Sequence, residues 1–580
     1  MRRFGARIGT GINIGPGFPF AGNFPVDTLE GAIANTDRFP THVPLPAHNI
    51  TVPDTDTTRF TIPKTTIDNN ESPEQQIDLA TALQYQSSAG LPSLAAFVQD
   101  WAVNHQHRGK IPYDSPQTLL TCGSQDAFAK LLMTFADAGD AILVEEAFYV
   151  LANEQIPPFG VTRVPVKLDE HGMSSKDLAR VLDSWDERKQ GKKPHMMYTV
   201  TLGQNPTGTI MPLWRKKEIY AVCQRHDVLI FEDDPYWALQ YDVPPPTLRN
   251  GKATPPNLDP DKFLASLAPS YVEIDIDGRV LAMQTFTKIF APGCRVGWIV
   301  AQPDFIAKLT LMTDVTTSNP SGFAEAALAQ VIRREWNGPE GFVRWIAGLN
   351  ANYRSRRDVL CETLAEGRVL FVGRDKESGS DSESKSEGSS NDDGDGGRNG
   401  SGKRKHRGSK SLARTHRTRK GKPLRMYDFD VPEGGMYVWV NLHLDDHPLA
   451  RGKAGLSIRD ILIRLWNHLI TNFDLLTVPG PLFAVDGSTG AKTASHHLRL
   501  TFAAVAPSDL RRAGRLFGEG VKTFWRGDGW ELPEVTGQRA KGAVGAMKGQ
   551  KAYDDLLVQL YELHAARKGV QNLGLALGRG

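Results

Sequence analysis

A single lysine lies in an apolar stretch without acids, "TFTKIFAPGCRVGW", at residues 285–298. A lysine amine must be neutral to attack a carbonyl group, and apolar surroundings and a nearby cation both lower its pKa. Lys288 has such surroundings, with Arg295 following in the same stretch. Thr285 and Thr287 would share one face of an extended strand, and hydroxyls beside an arginine fork suit a phosphate group. The stretch suggests a reactive amine beside a phosphate site, although Lys288 alone fits a plain surface lysine.

Two further motifs place polar groups where a turn meets a helix or a strand. "GSQDAF", residues 123–128, opens a predicted helix, where free backbone amides and the Ser124 hydroxyl can bind phosphate. "QNPTG", residues 204–208, makes a tight turn that can aim the Asn205 amide into a cleft. Each motif alone fits an ordinary helix cap or a plain turn equally well.

Three carboxylates lie at the end of a predicted strand in "FEDDPY", residues 231–236. A carboxylate buried there needs a cationic partner, and a protonated pyridine nitrogen would serve. Tyr236 follows Asp233 closely enough to reach the same ligand. A solvated acidic loop is the alternative. With the amine and the phosphate site, this acid suggests the cofactor pyridoxal phosphate (PLP).

The elements that would position these residues alternate between strands and helices. Such alternation predicts βαβ units in a mainly parallel, helix-covered sheet that binds ligands at the carboxyl ends of its strands. The strand-like segments are "AILVEE" (141–146), "VTRVPV" (161–166), "HMMYTV" (195–200), "VLIFED" (228–233), "VLAMQTF" (280–286) and "GWIVA" (297–301). Helical patterns cover 91–105, 125–139, 173–189 and 213–227.

In this order the motifs resemble those of PLP-dependent aminotransferases of fold type I, class I and II, and they are most similar to the aromatic-amino-acid, 2-aminoadipate and kynurenine aminotransferases. The resemblance covers about residues 12–525 apart from insertions. It rests on "LQYQSSAGLPSL", "GSQDAF", "VEEAFY", "NPTG", "EDDPY", "TFTKIFAPGCRVGW", "PEGGMYVWVNL" and "LRLTFA". It implies an α/β fold with a mainly parallel seven-stranded sheet in a large domain, plus a smaller α+β domain.

The resemblance also implies a role for each matching residue. Lys288 would be the Schiff-base lysine and proton shuttle, and Asp233 would pair with the pyridine nitrogen. Asn205 and Tyr236 would bond the phenolic oxygen of the ring, and Tyr149 would stack on its face. The phosphate would be held by Ser124, Gln125, Thr285, Thr287 and Arg295. The family usually has serines where this chain has the two threonines, which keep the hydroxyl but add methyl groups.

Three residues are implied to complete the site. Arg499 would fork onto the substrate α-carboxylate, beside Asn205, and Gly17 would border the substrate pocket. Tyr85 would reach the phosphate of the neighbouring subunit, which implies a homodimer with shared active sites. The implied reaction is transamination of an amino acid, aromatic in first place, with a 2-oxo acid such as 2-oxoglutarate. A 2-aminoadipate or kynurenine aminotransferase, or a PLP-dependent lyase on the same fold, remain alternatives.

Changes in composition, together with the domains that the resemblance implies, divide the chain into five predicted parts. The segment 373–422 is poor in apolar residues, acidic in its first half and basic in its second, so it cannot bury a core. We interpret it as a tolerated loop insertion rather than a nuclear signal or a polyanion-binding tract. The others are an N-terminal segment 1–74 contributing to the small domain and the pocket, a large PLP-binding domain 75–335, a small domain 336–372 and 423–526, and an extension 527–580.

Composition favours a small-molecule enzyme over a nucleic-acid or membrane protein. The formal net charge is +2, and no apolar run reaches the roughly 18 residues that cross a bilayer. The basic tract lacks interleaved aromatic residues, which argues against a DNA-binding regulator. Four scattered cysteines lack metal-ligand spacing, so we expect no metal and a reducing compartment, the cytoplasm. Mitochondrial and nuclear locations are the alternatives.

Overall fold

The computed structural model describes residues 17–39, 57–66, 72–241, 260–372, 422–451, 455–485 and 487–528. The predicted insertion at 373–422 lies outside these residues except for Lys422. The predicted extension at 527–580 lies outside them except for Gly527 and Asp528. The division of the chain into five parts therefore stays a prediction.

Strands alternate with helices through most of the described chain. The strands, in chain order, are β1 (Thr28–Ala34), β2 (Thr57–Pro63), β3 (Gln117–Thr121), β4 (Ala141–Glu145), β5 (Thr162–Val166), β6 (Leu168–Asp169), β7 (Gly172–Met173), β8 (Met196–Thr199), β9 (Leu229–Asp233), β10 (Val280–Thr285), β11 (Gly297–Ala301), β12 (Val369–Val372), β13 (Lys422–Arg425), β14 (Tyr427–Phe429), β15 (Tyr437–Leu442), β16 (Val478–Pro479) and β17 (His497–Thr501).

The described α-helices pack partly on the two faces of the sheet formed by the middle strands, and partly on the later strands and on one another. They are α1 (Leu79–Ala82), α2 (Pro92–Asp100), α3 (Ser124–Phe135), α4 (Val150–Gln155), α5 (Ser175–Asp183), α6 (Glu187–Gln190), α7 (Leu213–Arg225), α8 (Pro260–Ser266), α9 (Pro303–Asp314), α10 (Gly322–Ala329), α11 (Pro339–Gly367), α12 (Pro448–Arg451), α13 (Ile458–Phe473), α14 (Thr489–Ala494) and α15 (Pro507–Arg526). None of these helices combines the length and the apolar character that a membrane span requires.

Seven strands form the central sheet, in the order β3-β11-β10-β9-β8-β4-β5. Every neighbouring pair is parallel except the two that involve β11, which is antiparallel to β10 and β3. Parallel neighbours cannot be joined by a hairpin, so helices carry the chain back across the sheet. The predicted mainly parallel seven-stranded sheet is confirmed.

Side chains of the central strands alternate between two apolar layers, one on each face of the sheet. Leu143 of β4 packs in the layer that includes residues of α2, α7 and α11. Ile142 and Val144, its neighbours on the same strand, pack in the opposite layer with residues of α3 and α9. A strand buried on both faces must be apolar at successive positions, which is why these segments read as unbroken hydrophobic runs.

The sequence analysis identified six of the seven central strands and missed β3. Each of the six lies within its predicted segment. The segment of β3, "QTLLT", has only two apolar residues, Leu119 and Leu120, and lies at the edge of the sheet. Its position nevertheless matters, because α3 begins three residues after it ends.

A smaller antiparallel sheet has the order β14-β15-β17-β16. Two of the motifs that carry the resemblance, "PEGGMYVWVNL" and "LRLTFA", contain most of β15 and β17, which pair with Trp439 opposite Arg499. Tyr427 of β14 packs edge-on against Phe517 of α15, with ring centres 5.2 Å apart. In the second unit of the chain, Val369–Arg425, the described residues are β12 and β13, which form an antiparallel pair.

Candidate active site

A cavity opens where β3, β4, β8, β9 and β10 end. Ligands bind at this carboxyl edge in parallel sheets, because the loops and helix N-termini that follow the strands converge there. Ten of the side chains predicted from the sequence meet in its wall. The lining residues are Ser124, Gln125, Tyr149, Val200, Asn205, Asp233, Pro235, Tyr236, Thr285, Thr287, Lys288, Arg295 and Tyr437.

Three predicted residues lie outside this lining. Arg499 is adjacent to it, since its Nη1 donates a hydrogen bond to Asn205 Oδ1 at 2.8 Å. Tyr85 is 60% exposed on the surface of the single chain. Gly17, the first described residue, is also exposed.

Asp233 is the last residue of β9 and is buried at the cavity wall. Tyr198 of β8 donates a hydrogen bond to its Oδ2 at 2.7 Å. Its Oδ1 is buried and has no hydrogen-bond partner among the described residues. Burial raises the pKa of Asp233 to about 6, although the Tyr198 hydrogen bond and the Lys288 cation oppose that rise. A carboxylate in this position is stabilised by a cationic donor at Oδ1.

The other two acids of the "EDD" run belong to a different network. Side chains alternate along a strand, so Glu232 and Asp234 point away from the side of the strand that carries Asp233. The buried Lys216 ammonium lies 3.4 Å from Glu232 and donates to the Thr201 hydroxyl at 2.6 Å. Asp234 Oδ1 accepts the backbone N–H of Thr201 at 3.0 Å. Burial and the Glu232 carboxylate together raise the pKa of Asp234 well above its usual value.

This network fixes the chain that leads into the Asn205 loop. Asp234 Oδ1 also accepts the N–H of Leu202 at 3.1 Å. Beyond it, the Gln204 amide donates to Glu145 Oε2 at 2.8 Å, and the peptide bond between Asn205 and Pro206 is cis. Burial raises the pKa of Glu145 to about 7, with the Gln204 and Thr199 hydrogen bonds opposing the rise. The loop that carries the Asn205 amide is thereby held from both sides of β8.

A second part of the cavity wall is suited to an anion. Gly123 has φ +89° and precedes α3, whose N-terminal amides face the cavity beside Ser124. A Cβ on Gly123 would lie 2.6 Å from Arg295 Nη2, so only glycine leaves room for that guanidinium. Arg295 Nη2 donates to the Cys122 carbonyl oxygen at 3.1 Å. The Ser124 hydroxyl is buried without a hydrogen-bond partner among the described residues.

Thr285 and Thr287 lie beside the part of the cavity wall that suits an anion but differ in their bonds. The strand ends at Thr285, because Phe286–Lys288 forms a 3₁₀ turn, yet the two hydroxyl oxygens still lie 2.7 Å apart. The Thr285 hydroxyl donates to the Val296 carbonyl oxygen at 3.1 Å and accepts the Thr287 N–H at 3.1 Å. Since those bonds already use the single proton of Thr285, Thr287 is the better placed of the two to bond a ligand.

Lys288 ends the same turn and extends into the cavity. Its neighbours Phe286 and Ile289 are fully buried, and the Trp345 indole N–H donates to the Ile289 carbonyl oxygen at 2.7 Å. The backbone on both sides of the lysine is therefore anchored in the core. Its charge lies close enough to Asp233 and Tyr437 to oppose the effect of burial on them, because burial raises the pKa of both groups and a nearby cation lowers it.

Arg499 is held between two aromatic rings. Its guanidinium carbon lies 4.0 Å from the ring centre of Tyr437 and 4.7 Å from that of Phe483. The Tyr236 hydroxyl donates to the Tyr437 hydroxyl at 3.4 Å. Burial would raise the pKa of Tyr437, but the Arg499 and Lys288 cations and this hydrogen bond outweigh it, so the pKa lies below its usual value.

Sequence reasoning did not assign a role to Tyr198, Glu145 or Tyr437. Glu145 and Tyr437 lay within quoted motifs, and Tyr198 lay within a predicted strand. A polar side chain inside an otherwise apolar strand is a signal that could have found Tyr198 and Glu145, since a buried polar group needs a partner. Tyr437 gives no such signal, because its partners come from distant parts of the chain.

The residues present fit PLP. The orphaned Oδ1 of Asp233 suits the protonated nitrogen of a pyridine ring. The N-terminus of α3, the Ser124 hydroxyl and Arg295 suit a phosphate group. Lys288 lines the same cavity, where an amine could reach an aldehyde carbon of the same ligand.

Comparisons with known proteins agree with this arrangement. The family model "Aminotransferase class I and II" matches residues 50–375. L-tyrosine:2-oxoglutarate aminotransferase of Tapinella panuoides is 31% identical over 554 residues, covering 89% of this chain and 90% of its own. An aromatic amino acid aminotransferase of Schizosaccharomyces pombe is 33% identical over 342 residues, covering 57% of this chain and 69% of its own.

A solved structure has the same fold over nearly the whole chain. Aminotransferase Aro8 from Candida albicans superposes with a TM-score of 0.70 at 28% identity, covering 90% of this chain and 94% of its own. The expected fold type I architecture is therefore confirmed, as is the resemblance inferred from the motifs. The chain belongs to the class I and II aminotransferases and is a PLP-dependent enzyme.

Proposed function

We propose that this enzyme transfers the amino group of an aromatic amino acid to 2-oxoglutarate. The observation that carries the proposal is the likeness to an L-tyrosine:2-oxoglutarate aminotransferase over 89% of the chain. The cavity wall is consistent with it, since Tyr149, Tyr236 and Tyr437 give that wall an aromatic character. The aromatic side chain of a substrate would pack favourably on these tyrosine rings in offset or edge-on contacts.

We infer that the residues of the cavity wall hold the cofactor by its ring and by its phosphate. Asp233 pairs with the ring nitrogen through Oδ1, and Tyr198 keeps that carboxylate oriented by its hydrogen bond to Oδ2. Arg295 and the N-terminus of α3 bind the phosphate, with Ser124, Gln125, Thr285 and Thr287 around it. Asn205 and Tyr236 would bond the phenolic oxygen of the ring, and Tyr149 would lie against its face.

When bound, PLP supplies an electron sink for the substrate Cα and carries the amino group between the two half-reactions. The Lys288 amine would take the proton from the substrate Cα as a general base and, as a general acid, would return it in the reverse half-reaction. Asp233 keeps the ring nitrogen protonated because a buried carboxylate is stabilised by a cation beside it. The backbone on both sides of Lys288 is anchored in the core, which keeps its amine within reach of the substrate Cα.

Arg499 binds the α-carboxylate that every amino-acid and 2-oxo-acid substrate carries. Its Nη1 is engaged with Asn205, and no other hydrogen bond from its guanidinium is made to the described residues. The remaining N–H groups form a planar fork that matches a carboxylate. Gly17 and the N-terminal segment border the side-chain pocket in this proposal.

We propose that the active enzyme is a homodimer. Tyr85 and Phe18 form an exposed aromatic pair with ring centres 5.9 Å apart, and Phe20 nearby is 75% exposed. Exposed aromatic clusters of this kind commonly mark protein contacts. In the dimer, Tyr85 of each subunit reaches the phosphate in the other. We further propose a cytoplasmic location, which is consistent with four free thiols.

Mixing two inactive variants tests the dimer. Tyr85→Ala subunits keep Lys288, and Lys288→Ala subunits keep Tyr85, so hybrid dimers contain one site with both residues. Activity should therefore reappear after the variants are denatured and refolded together. Light scattering should give about twice the chain mass of 63.8 kDa. A monomeric mass, or no recovery despite hybrids detected by native mass spectrometry, would contradict the proposal.

A panel of amino donors tests the reaction itself. Phenylalanine, tyrosine and tryptophan, each with 2-oxoglutarate, should give higher kcat/KM than 2-aminoadipate, kynurenine or alanine. Glutamate formed in step with the 2-oxo acid, measured by chromatography, distinguishes transamination from a lyase reaction. A preference for 2-aminoadipate or kynurenine would replace the proposed substrate, and product without glutamate would indicate the lyase.

The same panel separates the carboxylate site from the side-chain pocket. Arg499→Ala should raise KM for every donor, by a factor of about 10 to 100, because a carboxylate loses a charged partner that is worth about 1.5–3 kcal/mol. The order of preference among donors should stay the same. An unchanged KM for all donors would exclude Arg499 as the carboxylate ligand.

A further inference from the structure

Tyr437 has contacts on two sides of the cavity that the proposed function does not use. It is the first residue of β15, and Arg499 lies on the paired strand β17. Tyr437 is opposite Thr501, and Arg499 is opposite Trp439, so Tyr437 and Arg499 are diagonal neighbours on the same face of the sheet. Diagonal neighbours in a sheet are within reach when one side chain is aromatic and the other long.

The ring of Tyr437 forms one wall of a clamp around the arginine. The guanidinium carbon lies 4.0 Å from the Tyr437 ring centre, and Phe483 forms the second wall at 4.7 Å. Phe483 is fully buried and packs edge-on against Trp439, with ring centres 5.5 Å apart. A guanidinium held between two ring faces keeps its plane, and with it the direction of its N–H fork.

The hydroxyl of Tyr437 makes a separate contact on the cofactor side of the cavity wall. It accepts a hydrogen bond from the Tyr236 hydroxyl at 3.4 Å, and the two rings meet edge-on with centres 6.1 Å apart. Tyr236 is itself buried at the cavity wall. Tyr437 therefore contacts both the arginine that would bind a carboxylate and a tyrosine that would bind the cofactor.

We propose that Tyr437 is a positioning residue whose ring, together with Phe483, orients the guanidinium of Arg499 toward the carboxylate of the substrate. This rests on the proposed role of Arg499. Because an arginine has many rotamers in an open site, an aromatic clamp reduces the ordering that binding would otherwise require. The ring is the part that acts, and the hydroxyl is auxiliary.

Binding of unreactive carboxylic acids to the holoenzyme tests the clamp without turnover. 3-Phenylpropionate and glutarate have no amino group, so their dissociation constants can be measured by isothermal titration calorimetry. Tyr437→Leu should weaken both by about tenfold, because the cation loses one ring face. Tyr437→Phe keeps the ring and should bind both acids as the parent does. With reactive donors, Tyr437→Leu should raise KM more than it lowers kcat.

Further variants separate positioning from a loss of structure. Phe483→Leu removes the opposite ring and should weaken the same two acids. Tyr427→Phe removes a hydroxyl from the same sheet, one that bonds the Leu364 carbonyl oxygen outside the cavity, and should leave binding unchanged. Each variant should retain the cofactor absorbance of the parent. If Tyr437→Leu lacks bound cofactor, the affinity of Phe483→Leu for the two acids decides instead.

Three outcomes would overturn the proposal. The first is parental affinity of both acids in Tyr437→Leu or, where that variant lacks cofactor, in Phe483→Leu. The second is equal weakening in Tyr437→Phe and Tyr437→Leu, which would assign the effect to the hydroxyl. The third is a parent enzyme that binds neither acid. If the donor panel excluded aromatic substrates, glutarate would still test the clamp, since only a carboxylate is required.

Discussion

Replacing Lys288 with alanine should lower kcat by about a thousandfold or more while the protein still binds PLP. General acid–base catalysis by one positioned group contributes about 10²–10⁴ in rate, and Lys288 is proposed to act in both proton transfers. Cofactor binding should survive because Asp233, Ser124 and Arg295 hold the ring nitrogen and the phosphate independently of the lysine. Equilibrium dialysis measures the bound cofactor, and the rate of 2-oxo acid formation measures turnover.

Two other variants show whether it is the amine at this position that matters. Lys288→Arg keeps a cation but lacks a readily deprotonated amine, so it should be as slow as Lys288→Ala. Lys217→Ala removes an exposed lysine from α7 and should have the parental rate. Turnover at the parental rate in Lys288→Ala would show that another group moves the proton. Loss of cofactor from that variant would instead count against the proposed phosphate site.

Replacing Asp233 with asparagine should have opposite effects on activity and on stability. Activity should fall by about a hundredfold or more, because removing one member of a buried charge pair costs about 3–5 kcal/mol and the ring nitrogen then loses its proton. The cofactor-free protein should become more stable, since Asp233 has a buried Oδ1 with no partner among the described residues. The neutral amide removes the cost of a buried charge at that position.

The raised pKa of Asp233 determines how the stability of the cofactor-free parent changes with pH. Burial raises the pKa of Asp233 to about 6, above the usual 3.8, so the folded state binds the proton more tightly than the unfolded state. The free energy of unfolding therefore falls as pH rises through this window. Two units of pKa correspond to about 3 kcal/mol. Above pH 6, cofactor-free Asp233→Asn should be more stable than the parent by up to that amount, and the difference should vanish near pH 4.

Urea unfolding of the cofactor-free proteins at pH 4, 6 and 7.5 measures this difference. Asp227→Asn is the matched control, because its side chain is 98% exposed and its positive φ suits asparagine equally well. That variant should change neither the unfolding free energy nor the rate. If Asp233→Asn were less stable than the parent at pH 7.5, the carboxylate would be satisfied in the cofactor-free protein, contrary to the geometry around Oδ1.

Patterns of nearby residues in the sequence were enough to predict much of the fold. The strands β4, β8, β9, β10 and β11 were found because burial on both faces favours apolar runs, which local sequence displays. β5 was also found, although it is an edge strand whose first residue is exposed. Strands β3, β14 and β16 were missed because they are short or contain few apolar residues. Their strand conformation comes from pairing with neighbours, as β3 pairs with β11, and pairing is not visible in the segment itself.

The sequence by itself was enough to predict ten of the side chains that line the cavity, since they belong to short motifs at strand ends and turns. Residue patterns alone could not show which of the three acids in "EDD" faces the cavity. The tertiary structure shows it, because Glu232 and Asp234 belong to one network with Lys216 and Thr201, whereas Asp233 lines the cavity. Likewise, the clamp joins Tyr437 to Arg499, and Tyr437 is 201 positions from Tyr236. Contacts across such separations exist only after the chain folds, so no local pattern encodes them.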